Sequence, residues 1–340
     1  MTPAAGRSMT PAIWAALVTV YVVWGSTYLG IRVVVESGIP PIFGMGTRFL
    51  VAAVLLLGFL AVKDGLRSLR ITWTEFRGAA VMGVMLLVFG NGVVAIAEQT
   101  VPSGLTALIV GAVPLWFVLL RVAGGERPRG LTWLGVLIGF GGVAAIGLPR
   151  GGIDNVEFWG VLLLMVATLS WATGSYLSPR LNLPKVTKLA VAYEMLAAGV
   201  IMTGGSVVAG DGRRFDPAEV SLDGWIALAY LIVFGSLLAF TAYSYALAHA
   251  PLSLVGTYAY VNPVVAVFLG WAILSEPVTM VVVGGGALVV VGVALVVTAE
   301  RPPSGRTGRL RSRHTHSPAM RVPARKHKTI VKTGGQTDVN

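Results

Sequence analysis

Two charged residues stand within long apolar stretches of this 340-residue sequence. Arg48 lies seven residues beyond Pro41, and Glu194 lies about equally deep in a later stretch. A charge inside a bilayer costs about 2.5–3.5 kcal/mol on insertion scales, and such residues usually pair or serve transport. The segments RFLVAA (48–53) and EMLAAG (194–199) also align, which gives the two charges comparable positions in two parts of the chain.

These charges support three hypotheses. In the first, Arg48 and Glu194 form an ion pair or flank a zwitterionic solute. In the second, Glu194 carries a coupling proton, because burial disfavours the charged form of a carboxyl group. In the third, Arg48 extends to the interface and the pair is only structural. Glu36 and Glu98 lie close to predicted outer helix ends, where we expect a solvated interfacial role.

Small polar and aromatic residues recur at helical spacing in other stretches. Residues four or seven apart share one face of a helix. The pairs are Trp24–Tyr28, Trp171–Ser175, Tyr258–Asn262 and Asn91–Glu98. Such faces suit an amphipathic solute held by a few oriented hydrogen bonds, although the same residue types also pack between membrane helices. With Arg48 and Glu194, the predicted substrate-binding residues are Trp24, Tyr28, Asn91, Trp171, Ser175, Tyr258 and Asn262.

Prolines interrupt two of the apolar stretches. Asn262-Pro263 lies within TYAYVNPVVAVFLGW (257–271), and Pro114 lies within a similar stretch of the first half. Proline costs roughly 3 kcal/mol in a helix interior, and broken membrane helices are tolerated where they line a cavity or pack on protein. We therefore predict helix breaks with a gating role at Pro114 and Pro263. The alternative is that both prolines are fixed kinks that serve packing.

The composition excludes several classes of protein. Hydrophobic residues make up 55% of the chain, charged residues only 12%, and the mean hydropathy is +0.77, whereas soluble domains carry about 25% charged residues. The absence of cysteine excludes disulfides and thiol catalysis. Neither a Walker loop nor an HExxH motif is present, so we predict no cofactor, no metal site and no ATP-driven transport.

The chain carries ten apolar stretches near the length that a membrane-spanning helix needs, about 20 residues. They are residues 12–35, 42–62, 78–97, 102–122, 131–149, 157–178, 187–209, 224–248, 252–273 and 278–298. Lysine and arginine concentrate in alternate loops when the N-terminus is placed inside. We therefore predict an all-α, multi-pass protein of the plasma membrane with both termini in the cytoplasm.

The last part of the chain, residues 300–340, is strongly basic. It carries +8 of the net charge of +11, is rich in Arg, Pro and Ser, and lacks an apolar helical period. We expect it to be disordered and to lie against the anionic inner leaflet of the membrane. Nucleic acid is not expected as a partner.

Short words repeat in the same order in the two halves of the chain. LLVFGNG (86–92) answers LIVFGSL (231–237), and GGERP (124–128) answers LSEPV (274–278). The offset drifts from 145 to 150 residues, which fits insertions of about one helical turn. Each repeat holds five predicted helices, and because five is odd, the second repeat must enter the membrane inverted. The predicted repeats are residues 12–149 and 157–298.

The sequence resembles the EamA-type carriers of the drug/metabolite transporter superfamily. The resemblance rests on WGSTYLGIRVVVESGIPPIFGMGTRFL (24–50), on the stretches interrupted at Pro114 and Asn262-Pro263, and on the GERP and SEP turns. It implies ten helices in two inverted repeats and a secondary carrier, often an exporter of amino acids or related metabolites. It also implies that the fifth and tenth helices, which are rich in glycine, form a packing or homodimer face.

Two other functions stay open at this point. One is a multidrug or toxic organic cation exporter that uses Glu194 as its counter-charge, although Arg48 would repel a purely cationic substrate. The other is a membrane sensor or membrane enzyme, which should show a soluble domain or an acid–base cluster. We expect a small-molecule exporter working by alternating access with proton exchange, and no enzyme.

Overall fold

The computed structural model describes residues 10–147, 158–211 and 215–300, and these residues are mainly helical. The predicted tail at 300–340 lies almost wholly outside the described residues. The helices are α1 Pro11–Glu36, α2 Pro41–Asp64, α3 Trp73–Ala97, α4 Ser103–Ala123, α5 Gly130–Gly147, α6 Phe158–Leu177, α7 Thr187–Ala209, α8 Leu222–His249, α9 Leu252–Val255 with Tyr258–Leu274, and α10 Met280–Glu300.

The described helices agree with the apolar stretches of the sequence. Within the described residues, each of the ten predicted stretches overlaps one of the helices α1 to α10. Within the described residues, eight helices are long and apolar enough to cross a membrane, namely all except α5 and α9. Those two contain shorter apolar helices, Gly130–Ile146 and Val261–Leu274.

Local signals start and stop several helices. The Thr10 side chain accepts a hydrogen bond from the backbone N–H of Ile13 at the start of α1. Thr72 and Glu75 form a reciprocal capping box at the start of α3, which satisfies two orphan backbone donors. Helix α7 ends at Ala209 and is capped by Gly210, whose φ of 90° is left-handed, a conformation that favours glycine.

Helices α3 and α8 each contain a π-helical segment in the middle. The segments are Gly83–Gly92 and Leu231–Phe240, and they hold the repeated words LLVFGNG and LIVFGSL. π-Helical turns occur frequently at functional sites. Gly90 and Asn91 in the first segment occupy the same positions as Gly235 and Ser236 in the second.

Helices α4 and α9 break at glycines, and this corrects the prediction of breaks at the prolines. Helix α4 is interrupted at Gly111-Ala112, and α9 at Gly256-Thr257. Pro114 is the second residue after its break, where its missing N–H costs no helical hydrogen bond. Pro263 lies inside a helix that continues to Leu274. The two prolines are therefore not equivalent relative to the breaks.

The packing repeats itself at an interval of five helices. Helix α2 packs along α7, and α5 packs along α10; α1 packs on α8 and α9, while α6 packs on α3 and α4. Glycines allow the close approaches, since a methyl group added at Gly142 would lie 2.7 Å from the carbonyl oxygen of Gly285. Each half therefore places its first helix against the third and fourth helices of the other half.

Candidate functional site

A cavity lies between helices of both halves of the chain. Six of the nine predicted substrate-binding residues line it: Trp24, Tyr28, Arg48, Asn91, Trp171 and Tyr258. The free volume is about 50 Å³, which is enough for a few water molecules but well below the roughly 300 Å³ of the smallest common ligand pockets. A metabolite therefore fits only if the surrounding helices move apart.

Aromatic rings form one wall of this cavity. The Trp24 ring centroid lies 5.3 Å from that of Trp171 and 5.6 Å from that of Tyr258, both edge to face. Tyr243 completes the cluster at 4.8 Å from Trp24 and 5.4 Å from Trp171. Ring pairs at these distances contribute about 0.5–1.5 kcal/mol beyond their buried area, so the wall is well ordered.

Sequence reasoning missed Tyr243, which is fully buried. Its hydroxyl accepts a hydrogen bond from Nε1 of Trp171 at 3.0 Å and bonds the hydroxyl of Ser175 at 2.6 Å. Ser175 therefore supports the aromatic wall and does not line the cavity. One sequence signal could have identified Tyr243. The 145-residue offset between LLVFGNG and LIVFGSL makes Tyr243 the counterpart of Glu98, a residue already paired with Asn91 on one helix face.

Arg48 is buried, with 2% of its surface exposed, and its guanidinium group faces the cavity. Its Nε donates to the hydroxyl of Ser236 at 2.8 Å, and its Nη1 lies 3.5 Å from Sδ of Met45. Its Cζ lies 4.9 Å from the ring centroid of Phe49. All three partners are neutral. Among the described residues, no carboxylate lies within ion-pair distance of Arg48.

The predicted ion pair between Arg48 and Glu194 is therefore not formed in this structure. Glu194 is 2% exposed, and its Oε2 has no hydrogen-bond partner among the described residues. It does not line the cavity. Its backbone carbonyl instead packs against Gly83 of α3, where a side chain would collide with it.

Asn262 and the two prolines lie beside the cavity and do not line it. The Asn262 side-chain amide is oriented so that its oxygen faces donors and its nitrogen faces acceptors. In this orientation the amide nitrogen donates to the carbonyl oxygens of Tyr21 at 3.1 Å and Tyr258 at 3.2 Å. This links α9 to α1. A side chain added at Gly111 would contact Pro263, and one added at Gly256 would contact Pro114. Each glycine break therefore packs against the proline of the other broken helix.

Glu98 contradicts the expectation of a solvated, interfacial residue. It is completely buried, and neither carboxyl oxygen has a hydrogen-bond partner among the described residues. A helix distant in the sequence contacts this residue, since Arg32 of α1 donates a hydrogen bond to the Glu98 backbone carbonyl oxygen. Glu36, by contrast, is half exposed and pairs with Arg32 at 2.5 Å. Hydropathy does not predict that this end of α3 is buried.

Comparisons with known proteins agree with this architecture. A model of the EamA-like transporter family matches residues 10–148 and 158–298. The chain is 42% identical over 277 residues to "Uncharacterized inner membrane transporter YedA" of Escherichia coli (strain K12), which covers 81% of this chain and 87% of that protein. It is 23% identical over 288 residues to "Uncharacterized transporter YoaV" of Bacillus subtilis (strain 168), which covers 83% and 95%.

A solved structure described as "Crystal structure of protein" shares the fold. Its TM-score is 0.63 at 21% identity, over 87% of this chain and 100% of that chain. The names of the relatives indicate a transporter rather than an enzyme, and the long apolar helices are those of a multi-pass membrane protein. The resemblance seen in the sequence is thus confirmed, and the chain belongs to the EamA-like transporter family.

Proposed function

We propose that this chain is a secondary active exporter of small amphipathic solutes that carry a carboxylate, with amino acids and related metabolites as the leading class. The observation that carries the proposal is Arg48, a buried guanidinium in a cavity with only neutral partners. An uncompensated buried charge is costly. A solute carboxylate would supply the missing counter-charge, and guanidinium geometry suits a bidentate contact.

The aromatic wall supports the amphipathic part of the proposal. Trp24, Trp171 and Tyr258 offer ring faces and edges beside the guanidinium group. Asn91 adds to the cavity lining an amide that can donate and accept hydrogen bonds. One charged group, one amide and several rings match the usual pattern of a small-molecule site.

The second candidate is an exporter of organic cations. The same rings favour it, because cations bind to aromatic faces with about 0.5–2 kcal/mol. Arg48 opposes it, since its positive charge would repel a cation inside the cavity. Glu194, the counter-charge that this candidate needs, does not line the cavity.

The transport cycle we propose is alternating access between two inverted repeats, residues 12–149 and 157–298, with ten membrane spans. The repeated packing of α1 on α8 and α9, and of α6 on α3 and α4, supports such a cycle. Both termini would lie in the cytoplasm of a plasma-membrane protein, with the basic tail near anionic lipid. A homodimer face on α5 and α10 would have to use their outer sides, because Gly135 and Gly292 face each other within the chain.

Efflux from proteoliposomes tests the substrate class. Vesicles with the full chain are loaded with a mixture of amino acids, other carboxylates and lipophilic cations, and efflux is followed by mass spectrometry with and without a pH gradient. We expect selective loss of amino acids or related carboxylates, abolished by Arg48→Gln. Arg180→Gln is the matched control, because Arg180 is an exposed arginine that, among the described residues, hydrogen-bonds to Tyr176 alone. Selective loss of cations, undiminished by Arg48→Gln, would overturn the proposal.

A further inference from the structure

Glu98 is a buried carboxyl group that the proposed substrate contacts do not use. Its exposure is 0%, and both Oε1 and Oε2 are without a hydrogen-bond partner in the described part of the chain. A charged carboxylate in such a place is so costly that the group takes up a proton instead. Burial without a hydrogen-bond partner on either oxygen therefore makes Glu98 a candidate proton-binding group.

The position of Glu98 continues the cavity-lining face of α3. Asn91 and Val94 both line the cavity, and Glu98 follows Val94 by four residues, with its backbone N–H bonded to the Val94 carbonyl oxygen at 2.9 Å. One turn of helix rises about 5.4 Å, so Glu98 lies one turn beyond the lining. The repeat offset also pairs it with Tyr243, which belongs to the aromatic wall.

Neighbouring cations act on Glu98 without neutralising it. The charged groups around it are Arg32 and Glu36 of α1, Arg48 of α2 and Glu276 after α9. Arg32 is engaged elsewhere, since its Nη1 donates to the Glu98 backbone carbonyl and its Nε pairs with Glu36. Arg48 donates its Nε to Ser236. The carboxyl group thus has cations within electrostatic range but no N–H donor on either oxygen.

We propose that Glu98 is the residue that carries the coupling proton of transport. This inference rests on the proposed function and replaces Glu194 in that role. A proton from water on one side of the membrane forms the O–H bond at Glu98, is enclosed in the conformation seen here, and returns to water when the carboxyl group is exposed on the other side.

The neighbouring charges explain how substrate and proton would exclude each other. An amino acid whose carboxylate contacts Arg48 brings a positive ammonium group into the same cavity. An ammonium group held on the Glu98 side, with the solute carboxylate on Arg48, would disfavour a proton on Glu98, because the nearer positive charge stabilises the carboxylate form. Substrate and proton are then carried in alternate steps, which is what exchange requires.

Glu98→Gln tests the proposal in the same proteoliposomes. Glu36→Gln, at the end of the neighbouring helix α1, is the control, and Glu194→Gln tests the rival carboxyl group. For one-to-one exchange, a gradient of one pH unit supports up to about tenfold accumulation of solute. We expect Glu98→Gln to lose this accumulation and still exchange labelled for unlabelled solute without a gradient. The Glu36 and Glu194 variants should keep the accumulation.

Three results would overturn the proposal. The first is that Glu98→Gln still accumulates solute in response to a pH gradient, and the second is that only Glu194→Gln loses this accumulation. The third is that a sodium gradient drives accumulation while a pH gradient has no effect. If no solute moves at all, the proposed function fails, and Glu98 is tested separately by infrared difference spectra of the full chain in lipid. A protonated carboxyl band that is lost in Glu98→Gln and kept in Glu36→Gln supports proton binding. Identical spectra for the wild type and Glu98→Gln would refute it.

Discussion

The Glu276 carboxylate accepts a hydrogen bond from the backbone N–H of Ser103 at 2.7 Å, 173 residues away in the sequence. Its second oxygen accepts from the N–H of Gly104 at 3.0 Å. Helix α4 starts here after Pro102, which offers no side-chain cap. A carboxylate at a helix N-terminus satisfies orphan donors and interacts favourably with the helix dipole. The turn after α9 therefore joins the start of α4.

The counterpart of Glu276 in the first half is Glu126, and it makes no such contact. Both glutamates follow a residue with positive φ, 93° at Gly125 and 55° at Ser275. The Glu126 side chain is 60% exposed and pairs with Arg121 at 3.4 Å. The two halves thus share a turn, but only one of the two turns is docked on a helix in this structure.

We predict that Glu276→Gln weakens the contact between the turn after α9 and the start of α4, while Glu126→Gln has little effect. Loss of a capping carboxylate should lower the free energy of unfolding by about 0.5–2 kcal/mol. Because the chain has no cysteine, a single Thr106→Cys, fully buried on α4, reports the opening. Its maleimide labelling should accelerate in Glu276→Gln and not in Glu126→Gln. Equal labelling rates in both backgrounds would contradict the prediction.

Tyr243→Phe should destabilise the aromatic wall. The variant leaves the buried Trp171 N–H without its acceptor, and an unsatisfied buried donor costs about 1–3 kcal/mol. Thermal unfolding in detergent, followed by tryptophan fluorescence, measures the change. Tyr193→Phe is the control, since the Tyr193 hydroxyl donates to the carbonyl oxygen of Leu69, which lies in a 3-10 turn between α2 and α3 and does not line the cavity. A Tyr243→Phe variant as stable as wild type would show that the Trp171 N–H finds another partner.

Gly199→Ala should separate α2 from α7. A methyl group at this position would lie 2.6 Å from the backbone nitrogen of Leu50, and overpacking of a filled interior costs about 1–3 kcal/mol. Gly58→Ala on α2 is the matched control, because nothing lies within 4 Å of its added methyl group. We expect a lower midpoint of thermal unfolding for the first variant only. A fall in both would point to altered lipid contact instead of packing, because the greater helix propensity of alanine would by itself raise stability.

Asn262→Ala should loosen the contact between α9 and α1. The amide bonds the carbonyl oxygens of Tyr21 and Tyr258, and its removal deletes two hydrogen bonds, each of which contributes about 0.5–1.5 kcal/mol. Since Asn262 does not line the cavity, we expect lower thermal stability with substrate selectivity in the efflux assay unchanged. A changed selectivity at wild-type stability would instead return Asn262 to the substrate-binding residues.

The sequence by itself determined the helices and most of the cavity. Hydropathy located the ten stretches that become α1 to α10, because an apolar run of this length is a local property. The repeated words and the spacing of four residues selected Trp24, Tyr28, Trp171 and Tyr258, since residues on one helix face stay together in any packing. Arg48 was predicted as a binding residue because it is a charge within an apolar stretch.

Tertiary structure decided everything that depends on a partner from a distant helix. Glu98 was expected to be solvated because it lies at the end of a helix. It is buried because α1 and α6 pack against that end of α3. Arg48 and Glu194 align in the repeat, but α8 offers Ser236 to Arg48, so the two charges stay apart. The breaks lie at Gly111 and Gly256, which pack against Pro263 and Pro114 of the other broken helix, and this contact exists only once α4 and α9 are packed.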